Sequence, residues 1–117
     1  MNKKRILVVD DEKECCDFFK EYLASRNCEI DIAYDGLNAK YLLEYKIYDV
    51  IFFDCNMPEL SGVELIKIIR KKNPRAKAIM ISGYDCIDEG FAKTINIEHF
   101  IQKPISLEAV KKAIDET

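Results

Sequence analysis

The chain has 117 residues, of which 49% are hydrophobic and 33% charged, and a formal net charge of −3 at pH 7. These values are typical of a folded globular protein, and we expect one domain over residues 1–117. The acidic balance does not indicate a general electrostatic affinity for nucleic acid, and no basic stripe provides a specific contact. No apolar run approaches the roughly 18–20 residues of a membrane span. Five scattered cysteines without a CxxC pair predict free thiols in a reducing cytoplasm.

Short apolar runs alternate with longer amphipathic stretches. We predict strands at residues 6–9, 29–34, 50–53, 78–81 and 97–101. The spacing of apolar residues predicts helices that begin near Lys13, Asp35, Ser61, Asp85 and Ser106, the fourth over residues 85–95. Asp35 and Ser61 are predicted N-caps. The second helix carries the apolar residues Leu37, Tyr41, Leu42 and Tyr45, and the last has Leu107, Val110 and Ile114 on one face. The phenylalanine, tyrosine and isoleucine stripes are expected in the core.

Five repeats of strand and helix predict an α/β fold with a doubly wound parallel sheet and helices on both faces. In such a sheet, ligands bind beyond the carboxyl ends of the strands. Polar residues follow four of the predicted strands: Asp10, Asp11 and Glu12 the first, Asp54 the third, Ser82 the fourth and Lys103 the fifth. We therefore expect several acids, one hydroxyl and one lysine to share a shallow pocket.

Clustered carboxylates make this predicted pocket a candidate metal site. Two carboxylates about 4 Å apart repel by roughly 4 kcal/mol at an effective dielectric constant near 20. Protonation of one carboxylate, or a bound cation, relieves that repulsion. Oxygen ligands favour Mg2+, whereas a single histidine, His99, and scattered cysteines do not provide the ligands of a zinc site.

Four segments at the ends of predicted strands carry a family resemblance. They are Val8-Val9-Asp10-Asp11-Glu12, Asp54-Cys55-Asn56-Met57-Pro58-Glu59-Leu60-Ser61-Gly62, Ser82-Gly83-Tyr84 and Phe100-Ile101-Gln102-Lys103-Pro104. Each segment alone is a weak signal, but all four in this order are specific. Over essentially its whole length the chain resembles the receiver domain of two-component response regulators. The resemblance implies a flavodoxin-like five-stranded parallel sheet of order 2-1-3-4-5 with five helices.

The resemblance also implies an acceptor and a metal site. Asp54 is expected to take a phosphoryl group from a sensor histidine kinase or a histidine phosphotransfer protein, in a reaction that depends on Mg2+. Asp11, Asp54 and the backbone carbonyl of Asn56 are expected to bind the ion directly, and Asp10 through a water molecule. The protein would catalyse only its own phosphorylation and dephosphorylation, so it is not expected to be an enzyme in the usual sense.

Three further residues complete the implied machinery. Ser82 and Lys103 are expected to contact phosphoryl oxygens, and Ser82 to shift together with Phe100 on phosphorylation. Phe100 has no hydroxyl, so a switch that needs a tyrosine hydrogen bond is not available. The surface expected to respond consists of the helix over residues 85–95, the fifth strand and the last helix, and it would signal to a downstream output domain or protein target.

Neither direct nucleic-acid binding nor membrane binding is expected of this domain, while a homodimer that forms on phosphorylation stays open. The sequence departs from the family pattern in two places. Asn96-Ile97 replaces the usual Gly-Ala pair before the fifth strand, and the large Tyr84 near the predicted pocket suggests slowed hydrolysis of the phosphoryl group. A redox role of Cys55 or Cys86, both on loops near the pocket, also stays open.

Other functions share parts of this chemistry. A phosphatase of the haloacid-dehalogenase kind also uses an aspartyl nucleophile and Mg2+, but its nucleophile begins a D-x-D pair, which Asp54-Cys55-Asn56 does not form. A flavodoxin needs a phosphate-binding loop where this chain has acids. A receiver used only for docking would not need the complete set of Asp10, Asp11, Asp54, Ser82 and Lys103. The phosphoryl-accepting reading is favoured.

Overall fold

The structure is a computed structural model that describes residues 3–24, 26–54, 62–82, 99–103 and 105–115. Its strands are β1 (Lys4–Val9), β2 (Cys28–Ala33), β3 (Val50–Asp54), β4 (Lys77–Ser82) and β5 (His99–Gln102). The helices of the described part are α1 (Lys13–Ala24), α2 (Gly36–Tyr45), α3 (Gly62–Lys72) and α4 (Leu107–Asp115). The helix predicted over residues 85–95 and the N-cap predicted at Ser61 lie outside the described residues.

The five strands form one sheet of order β2-β1-β3-β4-β5 in which every neighbouring pair is parallel. This confirms the predicted fold class and strand order. The register aligns Val9 of β1 with both Ala33 of β2 and Phe53 of β3, and Ser82 of β4 with Gln102 of β5. The carboxyl ends of the strands therefore share one edge, as a parallel sheet with crossover helices requires.

Alternate side chains of the strands point into two separate cores. One face, with residues such as Leu7 and Phe53, packs against α2 and α3, and the other, with residues such as Val8 and Phe52, packs against α1 and α4. The rings of Phe19 in α1 and Phe52 lie 4.8 Å apart, which joins helix to sheet on the second face. The central strands read as continuous apolar runs because both of their faces are covered.

Side chains satisfy backbone groups at several helix ends. Asp35 caps α2 by accepting a hydrogen bond from the backbone N–H of Asn38 at 2.7 Å, which confirms the predicted N-cap. Ser106 caps α4 in the same way, through the N–H of Ala109. At the other end of α4, Lys4 and Lys77 of the sheet donate to backbone carbonyls, with Nζ–O distances of 2.6 and 3.0 Å. Positive charge at a helix carboxyl end stabilises the helix dipole.

The prediction that the tyrosine stripe lies in the core was wrong for α2. Leu37, Tyr41 and Tyr45 are exposed, and so is Leu107, whereas Val110 and Ile114 are buried as expected. The inner face of α2 is instead formed by residues such as Ala39 and Leu43. None of the described helices combines the length and apolar character that a membrane crossing requires.

Asn73, which follows α3, ties together two loops at the amino-terminal edge of the sheet. It is 1% exposed, and its Oδ1 accepts a hydrogen bond of 2.7 Å from the buried backbone N–H of Tyr48. Its Nδ2 donates to the backbone carbonyl of Lys46. A buried N–H that loses its partner carries its full desolvation penalty.

Replacement of Asn73 by alanine is expected to lower the free energy of unfolding by about 1–3 kcal/mol, because the Tyr48 N–H loses its acceptor. Urea denaturation followed by circular dichroism measures this loss. Asn38→Ala is the control, because Asn38 is also an asparagine but its side chain is exposed. Its free energy of unfolding should stay within about 0.5 kcal/mol of the parent's. Equal effects of the two substitutions would contradict the role given to Asn73.

Candidate functional site

The ends of β1 and β3 place two buried carboxylates beside each other. Asp54 is the last residue of β3 and is 5% exposed, and Asp10 follows β1 directly and is 0% exposed. The backbone N–H of Asp10 donates to the carbonyl of Ala33 at 3.0 Å, which extends the β1–β2 pairing by one step. The position of Asp10 is therefore determined by the sheet rather than by a free loop.

Lys103, one residue beyond β5, brings a positive charge to these carboxylates. Its Nζ lies 3.0 Å from Oδ2 of Asp54, 2.9 Å from Oε1 of Glu12 and 3.4 Å from Oδ2 of Asp10. A single ammonium group thus contacts acids that follow β1 and end β3. The structure thus brings Asp10, Asp54 and Lys103 together at the ends of three strands.

Burial and charge pull the pKa values of this group in different directions. Burial raises the pKa of Asp10 above its ordinary 3.8, although a hydrogen bond from the Glu12 N–H and the charge of Lys103 oppose the shift. Burial would by itself lower the pKa of Lys103, but its hydrogen bonds to Glu12 and Asp54 raise it above the ordinary value. Lys103 is therefore a cation at neutral pH, and Asp10 binds a proton more readily in the folded protein than in the unfolded chain.

One carboxylate oxygen in the site lacks a hydrogen-bond donor. Oδ1 of Asp10 accepts from the Glu12 N–H at 2.9 Å, whereas the buried Oδ2 accepts no hydrogen bond and only faces Lys103 at ion-pair distance. Carboxylate oxygens of Asp10, Glu12 and Asp54 all lie within 4.8 Å of one another. An unsatisfied oxygen among clustered carboxylates fits a hard divalent cation such as Mg2+.

The other predicted site residues make none of these Lys103 contacts in the part of the chain that the structure describes. Asp11 is exposed and is not part of the group formed by Asp10, Glu12 and Asp54. Ser82 ends β4 and pairs with Gln102, and Phe100 lies partly buried in β5 against the core that α2 and α3 cover. Asn56 lies outside the described residues. Of the acids in the predicted ligand set, the structure groups Asp10 with Asp54 and leaves Asp11 outside that group.

Glu12 is the residue that sequence reasoning underrated. It belongs to the acidic run after the first strand, yet only Asp10 and Asp11 received a role. In the structure its carboxylate makes the shortest of the Lys103 contacts, 2.9 Å, while its side chain stays 61% exposed. The signal was the run of three acids itself, because a turn after a strand can direct any of them inward.

Two thiols of α1 lie beneath the acids. Cys16 Sγ donates to the backbone carbonyl of Asp10 at 3.3 Å, and burial raises its pKa to about 11. Burial and a hydrogen bond to Asp10 also raise the pKa of Cys15 far above the ordinary thiol value. Both side chains are therefore protonated at neutral pH, and they support the site by packing rather than by thiolate chemistry.

Comparison with known proteins identifies the family. Residues 6–115 match the model of the response regulator receiver domain. The chain belongs to the response regulator receiver domain family. Receiver domains of this family are signalling domains of two-component systems that are phosphorylated on an aspartate, not enzymes in the usual sense.

Individual relatives agree with this assignment. The chain is 25% identical over 105 residues to the transcriptional regulatory protein TctD of Salmonella typhimurium (strain SL1344), an alignment that covers 89% of the chain and 47% of that protein. The chain thus spans about half the length of the curated relatives of this kind. A CheY-like receiver domain protein from Methanospirillum hungatei JF-1 is 30% identical, with a TM-score of 0.86 and coverage of 98% and 96%.

A third likeness concerns the fold alone. A response regulator protein from Burkholderia pseudomallei is 22% identical, with a TM-score of 0.84 over 95% of this chain and 66% of that one. Its crystal structure contains a phosphorylated aspartic acid, a calcium ion and citrate. The receiver fold is thus shared between proteins whose sequences have diverged widely.

The raised pKa of Asp10 predicts that this carboxylate destabilises the metal-free protein. A buried acid whose folded pKa exceeds its unfolded value costs stability as the pH rises from about 3.8 through the folded pKa. Asp10→Asn should therefore raise the free energy of unfolding at pH 7, without divalent ions, by on the order of 1 kcal/mol. Denaturant unfolding at a series of pH values measures the difference, which should vanish in acid, where Asp10 is protonated.

Asp11→Asn is the matched control for this prediction, because Asp11 is the neighbouring acid but is exposed. We expect its stability to stay within about 0.5 kcal/mol of the parent at every pH. If Asp10→Asn destabilised the protein at pH 7, or if both substitutions acted equally, the burial argument for Asp10 would be wrong.

Proposed function

We propose that this receiver domain, formed by residues 1–117, accepts a phosphoryl group on Asp54 from a sensor histidine kinase or a histidine phosphotransfer protein. The observation that carries the proposal is the contact of Lys103 with both Asp54 and Asp10 where three strand ends meet. A carboxylate oxygen is itself a nucleophile, so attack by Asp54 needs no general base. What the reaction requires is positioning and charge neutralisation.

Phosphoryl transfer to Asp54 forms one bond and breaks one. A carboxylate oxygen of Asp54 forms a bond to the phosphorus atom, and the bond from phosphorus to the imidazole nitrogen of the donor histidine breaks. The imidazole leaves with the electron pair of that bond and takes a proton. The role proposed for Lys103 is to pair with a phosphoryl oxygen, because its ammonium already lies 3.0 Å from the carboxylate that would carry the group. Ser82 is the proposed hydrogen-bond donor to another phosphoryl oxygen.

Mg2+ is the cofactor proposed for this site, held directly by Asp11, Asp54 and the carbonyl of Asn56 and through water by Asp10. Support comes from the unsatisfied Oδ2 of Asp10 and from the clustered carboxylates around it. The ion would neutralise charge on the transferring phosphoryl group. A phosphoryl group brought among these acids would otherwise meet strong repulsion.

The proposed readout is a change of surface. Phosphorylation would draw Ser82 towards the phosphoryl group on Asp54, and Phe100 would turn inward together with it. Phe100 lies in β5 and is partly buried against the core that α2 and α3 cover, so a change in its packing would be felt in that core. The responding surface would comprise the predicted helix over residues 85–95, β5 and α4. Local charge would thus select between two packings, a common form of switching in signalling proteins.

The partners follow from this switch. Upstream we propose a histidine kinase or phosphotransfer protein in the cytoplasm, and downstream an output domain or a protein target, without direct nucleic-acid or membrane binding by this domain. The relative TctD, about half of which aligns with this chain, is named as a transcriptional regulatory protein. That name supports an output step beyond the receiver domain. A homodimer that forms on phosphorylation is a further partner proposed for this domain.

Incubation with Mg2+ and acetyl phosphate is expected to add one phosphoryl group per chain, because the domain catalyses its own modification from a small donor. Intact-protein mass spectrometry measures the adduct. Asp54→Asn, an isosteric replacement, and addition of a chelator should each abolish it. A folded parent protein that forms no adduct would indicate a domain used only for docking, and steady release of phosphate from phosphate esters would indicate a phosphatase.

The ligand set makes a separate prediction about neighbouring acids. Asp11→Asn should weaken Mg2+ binding by about tenfold or more, because it removes a proposed direct ligand. Glu12→Gln should have a smaller effect, since its carboxylate is 61% exposed and pairs with Lys103. Isothermal titration calorimetry with Mg2+ compares the two. A larger loss for Glu12→Gln than for Asp11→Asn would place Glu12, not Asp11, on the ion.

A further inference from the structure

The outward face of α2 carries large apolar side chains where a surface helix ordinarily carries polar ones. Leu37, Tyr41 and Tyr45 are 64%, 62% and 73% exposed and recur at intervals of four residues. The opposite face, with Ala39 and Leu43, is buried on the sheet. We name the three exposed residues Leu37, Tyr41 and Tyr45 the α2 stripe. It is an apolar surface additional to the one that holds α2 in the fold.

Exposed apolar residues are concentrated around this helix. Of the six large hydrophobic side chains that are exposed in the described part of the chain, five fall between residues 34 and 47, and only Leu107 lies elsewhere. Within the α2 stripe, the rings of Tyr41 and Tyr45 pack at 4.9 Å with an interplanar angle of 52°. The two rings already contact each other, and tyrosine is enriched among the residues that dominate binding at protein interfaces.

We propose that the α2 stripe joins two copies of this chain into a dimer, with the two α2 helices antiparallel about a two-fold axis at Tyr41. The spacing of the α2 stripe favours this arrangement. Because its residues recur every four positions, reversing the helix places Leu37 of one copy opposite Tyr45 of the other and the two Tyr41 side chains opposite each other. A two-fold interface needs a surface that is complementary to itself in this way. Antiparallel packing also opposes the two helix dipoles favourably.

The area of the stripe fits the centre of a small interface. A tyrosine side chain offers about 150–250 Å², so two tyrosines and one leucine at these exposures present roughly 400 Å². A standard interface covers about 800 Å² per partner, with a polar rim around an apolar centre. Exposed polar residues beside the stripe, Asn38, Lys40 and Glu44, provide such a rim. We therefore expect a reversible dimer with a micromolar dissociation constant.

The dimer is independent of the phosphoryl chemistry, because the α2 stripe shares no residue with the site around Asp54. Sedimentation equilibrium of the unphosphorylated chain over a range of concentrations tests it. The parent is expected to pass from 13.6 kDa towards twice that mass as its concentration rises. Tyr41→Glu places two carboxylates on the axis and should weaken association at least about tenfold. Tyr41→Lys should do the same with two ammonium groups.

A mixture of the Tyr41→Glu and Tyr41→Lys variants is the decisive arm. Opposite charges then meet on the axis, so the mixture should form a heterodimer although neither variant dimerises alone. Leu107→Glu is the matched control, an equally drastic change at an exposed hydrophobic residue outside the stripe, and should leave the parent's dimer intact. Circular dichroism checks that each variant folds. If a Tyr41 variant fails to fold, Tyr45→Ser is used in its place and should weaken the dimer about tenfold.

Three results would overturn the proposal. One is a parent protein that stays monomeric at concentrations of about 100 µM, well above a micromolar dissociation constant. The same result would be obtained if a different protein covers the α2 stripe. Another is a dimer that Tyr41→Glu or Tyr45→Ser leaves unchanged. The third is a failure of the oppositely charged variants to associate. Since all arms use unphosphorylated protein, none of these results would bear on Asp54 as the acceptor.

Discussion

One ammonium group in contact with three carboxylates is the interaction on which the site depends. Lys103 reaches Asp10, Glu12 and Asp54 only because the parallel register brings the ends of β1, β3 and β5 to one edge of the sheet. Without that charge, buried acids would face each other across a few ångströms, where mutual repulsion is large. The same register positions Asp10 through its hydrogen bond to Ala33, so fold and site have a common cause.

This arrangement also explains how a small chemical change would have a large effect. The positive charge of Lys103 is already engaged by carboxylates. A phosphoryl group on Asp54 would carry about two negative charges in place of the single charge of the carboxylate. The contacts of Lys103 must then be redistributed, and a divalent cation becomes the natural complement to the acids. Phe100 lies in the strand that leads to Lys103, and its side chain packs on the core. Electrostatics at the edge and packing in the core are thus linked through β5.

Much of the fold and part of the site could be predicted from the sequence. Alternating apolar runs determine strands and helices, and the rule for parallel sheets places Asp10, Asp54 and Lys103 together without any coordinates. The choice between Asp11 and Glu12 could not be predicted, because it depends on the turn after β1, where neighbouring side chains point in different directions. The exposure of Tyr41 could not be predicted either, since a pattern of apolar residues does not distinguish a core from a contact surface.

The central claim is that Asp54 itself carries the phosphoryl group. Borohydride reduces an aspartyl phosphate to homoserine, so reduction of the protein after treatment with acetyl phosphate and Mg2+ marks the acceptor covalently. Peptide sequencing by tandem mass spectrometry then locates the mark. Our account predicts homoserine at residue 54 and nowhere else. Homoserine at residue 10 or 11, with residue 54 unchanged, would contradict it.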